Sequence, residues 1–332
     1  MKLLRLFSAL MVSVSCMTHA DELRIYNWYE YIPDDVISDF EKETGTKVIY
    51  DAYDSQEAME AKLLTGGSGY DLAFSGAVGI DRLIQAKSIV KLDKSKLSNL
   101  GNIGEAFMKL ERSAGDTSNE YAVPYLWGTN IIGYNKEAVK AATGKDTLST
   151  WDDILALDNI KKLSSCGVTF LDSPSEIMPI FLSYLGLPPD STKKADYEKV
   201  EDYLKTIRPY IRSFNSSTFM ANLADGEVCV AVAWSGALAV SGQNAAKAGK
   251  DFTIDLTLPE SGAPVWFDSM VIPAGAPNEA AAHKFIDYLM RPEVIARCSN
   301  MAMYANPNTA ADSLVDEALS SNPALYPTDE IK

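Results

Sequence analysis

Apolar and polar positions along this chain follow two alternating periods. Short β-branched or aromatic runs lie at 23–25, 47–50 and 71–74. Each is followed by a run with helical spacing: 34–42 with Val36, Ile37 and Phe40 on one face, 55–64 with Met59, Leu63 and Leu64, and 78–86. This rhythm predicts parallel βαβ units with right-handed crossovers and hence an α/β fold. It breaks at Tyr121-Ala122-Val123-Pro124-Tyr125-Leu126-Trp127-Gly128, an extended stretch with an internal proline that reads as a crossing between two lobes. The alternation then resumes. Thr150 is positioned to cap a helix, 168–171 reads as a strand, and 177–185 and 197–207 read as helices. Strands are predicted at 229–233 and 253–258, a return crossing at 265–272, and an amphipathic helix at 280–290, stopped by Arg291-Pro292.

The predicted strand ends collect a particular set of side chains. Tyr26-Asn27-Trp28-Tyr29-Glu30-Tyr31-Ile32-Pro33 joins the first strand to the first helix, and such junctions are where open α/β sheets bind ligands. Rings and a carboxylate together suit a small organic cation, although Trp28 and Tyr31 would serve equally as core and Glu30 as a solvated acid. Ser75 ends a second strand, Glu176 and Trp234 end strands of the second half, and Trp266 and Asp268 lie on the return crossing. Tyr304 precedes a further helical run. Singly these residues fit structural roles. Their shared placement at strand ends marks them as candidate ligand-binding residues.

Composition narrows the picture. The formal net charge is −15, and two units more negative without Lys2 and Arg5, which is unsuited to nucleic-acid binding. Residues 1–20 show a basic start, a short apolar run and Thr18-His19-Ala20, the pattern of a secretory signal peptide cleaved after Ala20. Cys16 lacks a convincing lipid-attachment context. Of Cys166, Cys229 and Cys298, two could pair in an oxidising compartment, and Cys166 and Cys229 border predicted strands; spacing alone does not give the connectivity. Cys298 reads as a lone buried thiol after a helix, and no cysteine pair has metal-ligand spacing. His283 reads as a surface residue of an ordinary helix. No nucleophile elbow or phosphate loop supports an enzyme acting on amines. Arg24, Arg208 and Arg212, which an amino-acid binder could use for a carboxylate, lie outside the candidate set.

In order along the chain, Tyr26-Asn27-Trp28 with Tyr31, residues 40–45, residues 91–97, Pro124-Tyr125-Leu126-Trp127, Trp266-Phe267-Asp268 and Tyr304-Ala305-Asn306 resemble the periplasmic polyamine-binding proteins of ABC importers, which bind spermidine and putrescine. The resemblance implies a two-lobed periplasmic binding protein of the type II-like architecture, with its ligand cleft between the lobes. It implies lobe 1 over 21–126 plus 267–308 and lobe 2 over 127–266 plus 309–332. It further implies no catalysis, no cofactor, no metal, a monomer, and a membrane permease as partner. Carried over by position, Trp28, Tyr31, Trp234, Trp266 and Tyr304 would box the methylene chain. Glu30, Glu176 and Asp268 would hold the ammonium groups, with Ser75 as a polar contact. A Cys166–Cys229 disulfide is implied as well. Putrescine-preferring members of that family carry an acid where this chain has Ala237, which predicts tighter binding of spermidine than of putrescine. Ala77, standing where some spermidine-preferring members have a tyrosine, argues the other way.

Overall fold

The computed structural model describes residues 21–326. The predicted leader, with Cys16, lies outside them. Nine strands run in chain order among the described residues: β1 Glu22–Trp28, β2 Lys47–Tyr53, β3 Leu72–Gly76, β4 Ala122–Asn135, β5 Val168–Phe170, β6 Ser213–Phe214, β7 Val230–Trp234, β8 Ile254–Thr257 and β9 Val265–Val271. In space they follow β2-β1-β3-β9-β4-β7-β5-β6, with β8 beside the far part of β4. The two wings are parallel, as the alternating pattern predicts: β1 with β2 and β3, and β5 with β6 and β7. The centre is antiparallel, because β9 returns between β3 and β4.

Each wing carries its own hydrophobic core, so the molecule has two lobes. Leu23, Ile25, Phe40 and Phe74 pack with Phe285 and Ile286 in the first, and Ile132, Val168, Phe170, Phe181 and Val232 in the second. Helix Asp34–Thr44 shows the local logic. Val36 and Phe40 are buried, Asp34 and Asp35 face the positive end of its dipole, and Gly45, at φ 72°, closes its last turn. Phe40 meets Phe285 edge-on with centroids 4.8 Å apart, and burying such a ring contributes about 1.5–3 kcal/mol. Thr150 caps as predicted: its hydroxyl accepts from the Asp153 N–H while the Asp153 carboxylate accepts from the Thr150 N–H.

Strand β4 joins the lobes, and all fourteen of its residues are buried. Residues 122–129 pair with β9, then Asn130 pairs with Trp234 of β7. A register shift between Pro124 and Trp127 accommodates the proline, which has no N–H to give the ladder.

Two sequence expectations are corrected. Leu64 is exposed, whereas Met59 and Leu63 of helix Gln56–Leu64 are buried. The buried polar positions of that helix are Gln56 and Glu60, and Glu60 accepts from Nε and Nη2 of Arg82. His283 is 2 % exposed, not a surface residue. Its Nε2 accepts from the Asp93 N–H (2.9 Å), so Nδ1 carries the proton and donates to the Glu279 carbonyl (2.7 Å). Helical spacing could not show that the 93–96 turn folds over this face. Among the described residues no helix is long and apolar enough to cross a membrane.

Cys166 and Cys229 form a disulfide with Cα atoms 5.4 Å apart. Strands β5 and β7 run parallel with Val168 opposite Val230, so the residues just upstream of each emerge at the same end of the sheet. Cys298 is free and buried, as expected; it follows helix Glu279–Leu289 and lies within the next, Pro292–Ala302, and burial pushes its thiol up to about 12. The bridge closes a span of 63 residues, for which loop-closure entropy gives roughly 4 kcal/mol. Replacing both bridged cysteines by serine should lower the unfolding free energy by about 2–4 kcal/mol in denaturant titrations. Peptide mapping without reductant should find Cys298 as a thiol, and a bridge containing Cys298 would refute this pairing.

Candidate functional site

A cavity of ≈ 530 Å³ lies where the strand ends of the two lobes face each other. Trp28 reaches it from the end of β1 and Trp234 from the end of β7, their centroids 5.7 Å apart and nearly edge-on. Trp266, on β9, meets Tyr304 edge-on at 4.9 Å, and Tyr304 meets Tyr31 at 6.0 Å. Glycines allow these approaches. A Cβ on Gly128 would come within 2.7 Å of the Trp266 ring, and one on Gly236 within 2.6 Å of the Tyr304 ring. The Tyr304 hydroxyl accepts from the Ala237 N–H (3.1 Å), satisfying one of the free donors that begin helix Ser235–Lys247.

The turn after β1 is shaped by Glu30, a non-glycine residue at φ 51°. This left-handed conformation costs on the order of 1 kcal/mol. It sends Tyr29 outward, 73 % exposed, and Tyr31 inward, 4 % exposed. The Tyr50 hydroxyl donates to the Trp28 carbonyl (2.5 Å) and the Tyr125 hydroxyl to the Tyr31 carbonyl (2.8 Å), fixing the turn's backbone.

Four carboxylates, those of Glu30, Asp54, Glu176 and Asp268, line the cavity, and no Lys, Arg or His is among its lining residues. Asp268 accepts from the Tyr31 hydroxyl (2.8 Å) and is otherwise withdrawn from water. Burial pushes its carboxyl up to about 7; the Tyr31 hydrogen bond opposes the shift and the charge of Glu176 adds to it. Glu176 is also raised, first by desolvation and further by Glu57, against hydrogen bonds from Asn130 and Trp234. Tyr31 is held well above its ordinary value by burial and by Asp268, so its hydroxyl stays a donor. Desolvated acids without a cation want one. Two hydrogen bonds join the lips of the cleft: Ser175 Oγ to Glu57 Oε1 (3.1 Å) and Ser217 Oγ to Asp54 Oδ2 (3.3 Å).

Eight of the nine candidate residues from sequence line this cavity: Trp28, Glu30, Tyr31, Glu176, Trp234, Trp266, Asp268 and Tyr304. Ser75 does not. Its side chain is fully buried against Gln56 and the Gly76 carbonyl, because β3 ends one residue later and turns it under the floor. Sequence reasoning missed Tyr53 and Asp54, which end β2 as Trp28 ends β1. An aromatic and an acid at a strand end was the available signal. Phe219, Met220 and Met301 also line the cavity, and their helical positions carry no such mark. Among the described residues no group of three or more His, Cys, Asp or Glu could hold a metal ion. A second cavity, between the helices that carry Met178 and Leu204 and the edge strand at Phe214, has an almost wholly apolar lining and includes none of these four acids.

Residues 35–328 match the family model described as bacterial extracellular solute-binding protein. The chain is 42 % identical over 324 residues to the putrescine-binding periplasmic protein SpuD of Pseudomonas aeruginosa, covering 96 % of this chain and 88 % of that protein. It is 41 % identical over 332 residues to the putrescine-binding periplasmic protein PotF of Escherichia coli, covering 98 % and 90 %. Among solved structures, the spermidine/putrescine ABC transporter substrate-binding protein PotD of Streptococcus pneumoniae superposes with a TM-score of 0.75 at 29 % identity, covering 94 % of this chain and 90 % of that one.

The state of Asp268 gives a pH test. A cation beside it favours the carboxylate, so binding near pH 7 should release close to half a proton from this group. An alkylammonium ligand, with a pKa of about 10, stays charged throughout. Affinity should therefore fall as pH drops below 7, approaching about tenfold per unit from this one group. The sign for the empty protein is the reverse of the usual carboxylate case. The folded acid keeps its proton to higher pH than an unfolded one, so at this group stability is lost as pH rises from about 4 towards 7. Calorimetry in buffers of different ionisation enthalpy measures the proton release; an affinity flat between pH 6 and 8 would refute the assignment.

Proposed function

The chain belongs to the bacterial extracellular solute-binding proteins, and from that premise we propose that it captures polyamines in its interlobe cleft in the periplasm and delivers them to an ABC transporter permease. The function is binding, not catalysis. The observation that carries the reading is a cavity lined by rings packed edge to face and by four acids, with no basic side chain. Each ammonium group of a polyamine needs an acceptor once it leaves water. A carboxylate supplies one in a charge-assisted bond worth roughly 1.5–3 kcal/mol. The methylene chain needs apolar cover, and ring faces give it while attracting the flanking charges.

In this proposal Asp268 anchors one ammonium group, Glu176 faces it from the other lobe, and Glu30 and Asp54 serve the outer part of the cavity. Trp28, Tyr31, Trp234, Trp266 and Tyr304 cover the methylenes, joined by Tyr53. Ser75 leaves the set. Lobe 1 is assigned to 21–126 plus 267–308 and lobe 2 to 127–266 plus 309–332; the two separate cores support a two-part division, with Trp127 and Ala311 packed into the first core. The protein acts as a monomer without nucleic-acid partners and reaches the periplasm through the leader over residues 1–20.

Calorimetry with putrescine, cadaverine, spermidine and a panel of amino acids tests the class: the amines should bind and the amino acids should not. Asp268→Asn keeps the shape and removes the charge, and should lose about 2–4 kcal/mol, or roughly thirty- to a thousand-fold in affinity. Unchanged binding by the folded variant would place the anchor elsewhere.

Ala237 lines the cavity, so an acid there would face the ligand. Its absence favours spermidine, which can spread its charges over the remaining acids. The two relatives described above are named for putrescine and weigh against that preference. Ala237→Asp should shift the putrescine-to-spermidine affinity ratio towards putrescine by about five- to thirtyfold, one charged contact. A ratio that does not move would remove position 237 from the account of selectivity.

A further inference from the structure

Asn130 is completely buried and lies outside the cavity lining. It stands at the residue where β4 changes partner: Thr129 still pairs with Val265 of β9, and Asn130 pairs with Trp234 of β7. Its Nδ2 donates twice to one residue, to Glu176 Oε2 at 2.5 Å and to the Glu176 backbone carbonyl at 3.3 Å. Both partners are acceptors only, which sets the orientation of the amide. The other end, Oδ1, is buried with no hydrogen-bond partner. A buried polar atom left unpaired calls for an explanation, and an apolar side chain would have avoided it.

Glu176 is in need of such a hold. It lies in the first turn of helix Pro174–Tyr184, whose N-cap Ser173 makes no side-chain capping bond. The charged groups facing it are Glu57, from helix Gln56–Leu64, and Asp268, from β9; both are acids. Besides Asn130, the Trp234 side chain of β7 also hydrogen-bonds it. A free glutamate between two acids would turn away from them and towards water. The two hydrogen bonds from Asn130 tie both its carboxylate and its backbone to the crossing strand.

We propose that Asn130 is a positioning residue for ligand capture: it locks the Glu176 carboxylate to the crossing strand, at the point where that strand changes partner from β9 to β7, so that a ligand ammonium meets an acid already in place. The inference rests on the polyamine reading above. Asn130 touches no ligand; it acts through Glu176. Its N–H groups favour the charged carboxylate, so removing them raises the pH needed for Glu176 to ionise.

The test is calorimetry with putrescine and spermidine across pH 5.5–8.5 on the mature protein, Asn130→Leu, Glu176→Gln and the double variant, each checked for folding by circular dichroism. Asn130→Leu should bind about tenfold more weakly at pH 7, with its pH profile moved upward so that the deficit shrinks towards pH 8.5. In the Glu176→Gln background, where there is no charge to hold, Asn130→Leu should change affinity by less than about twofold. A deficit that persists at every pH and in the Glu176→Gln background would mean a merely structural role and overturn the proposal, as would unchanged affinity. If Asn130→Leu does not fold, Asn130→Ser, which shortens the donor, carries the same comparison and the same two outcomes. Failure of the unaltered protein to bind either amine would instead refute the polyamine reading.

Discussion

Strand β4 must satisfy its backbone in two lobes at once. Fourteen consecutive buried residues give up water on both faces, so each N–H and C=O needs a partner within the protein. The solution is a division along its length, with β9 serving the first part and β7 and β8 the second. That division brings the ends of strands from both lobes to a common line. It also explains why the site draws on segments so far apart in sequence. Asp268 stands opposite Gly76, and Trp234 opposite Asn130, because the ladders leave no other register. The glycines at 128 and 236 sit along the same line, where rings from the opposite side press against the backbone.

Electrostatics then turns this geometry into a preference. In water four carboxylates in one cleft would cost little. Here Asp268 is nearly sealed from solvent and is pushed up to about 7, with Glu176 raised beside it. The empty site holds acids in an environment that penalises their charge, and hydroxyl and amide donors from Tyr31 and Asn130 offset only part of that penalty. A cationic ligand offsets the remainder. Glu57, outside the cavity lining, adds to that penalty by facing Glu176 across the lips. The lips themselves are joined by hydroxyl bonds from Ser175 and Ser217, which are weaker than an ion pair.

Much of this was legible in the order of residues. Alternating periods gave the βαβ wings, because side-chain period and burial are coupled by backbone geometry alone. The lone proline and glycine marked the crossing strand, and rings and acids clustered at strand ends marked eight residues that meet in one cavity. The resemblance supplied the cysteine pairing, which spacing had left open. The reading failed where contacts join segments distant in sequence. Ser75 turned under the floor, His283 was covered by a turn nearly two hundred residues earlier, and Leu64 faced outward while Glu60 met Arg82.

Sequence by itself thus determined the two-lobed α/β plan, the acidic and aromatic character of the ligand site and the absence of cationic residues from its candidate set. These depend on local periodicity and on residue chemistry, which the chain carries wherever it folds. Only the tertiary structure decided which acids lose their water, which of them carry a hydroxyl or amide donor, and that Asn130 holds Glu176 at the crossing. Those properties belong to distances between segments, and desolvation of a carboxylate is set by everything packed around it, not by its neighbours in the chain.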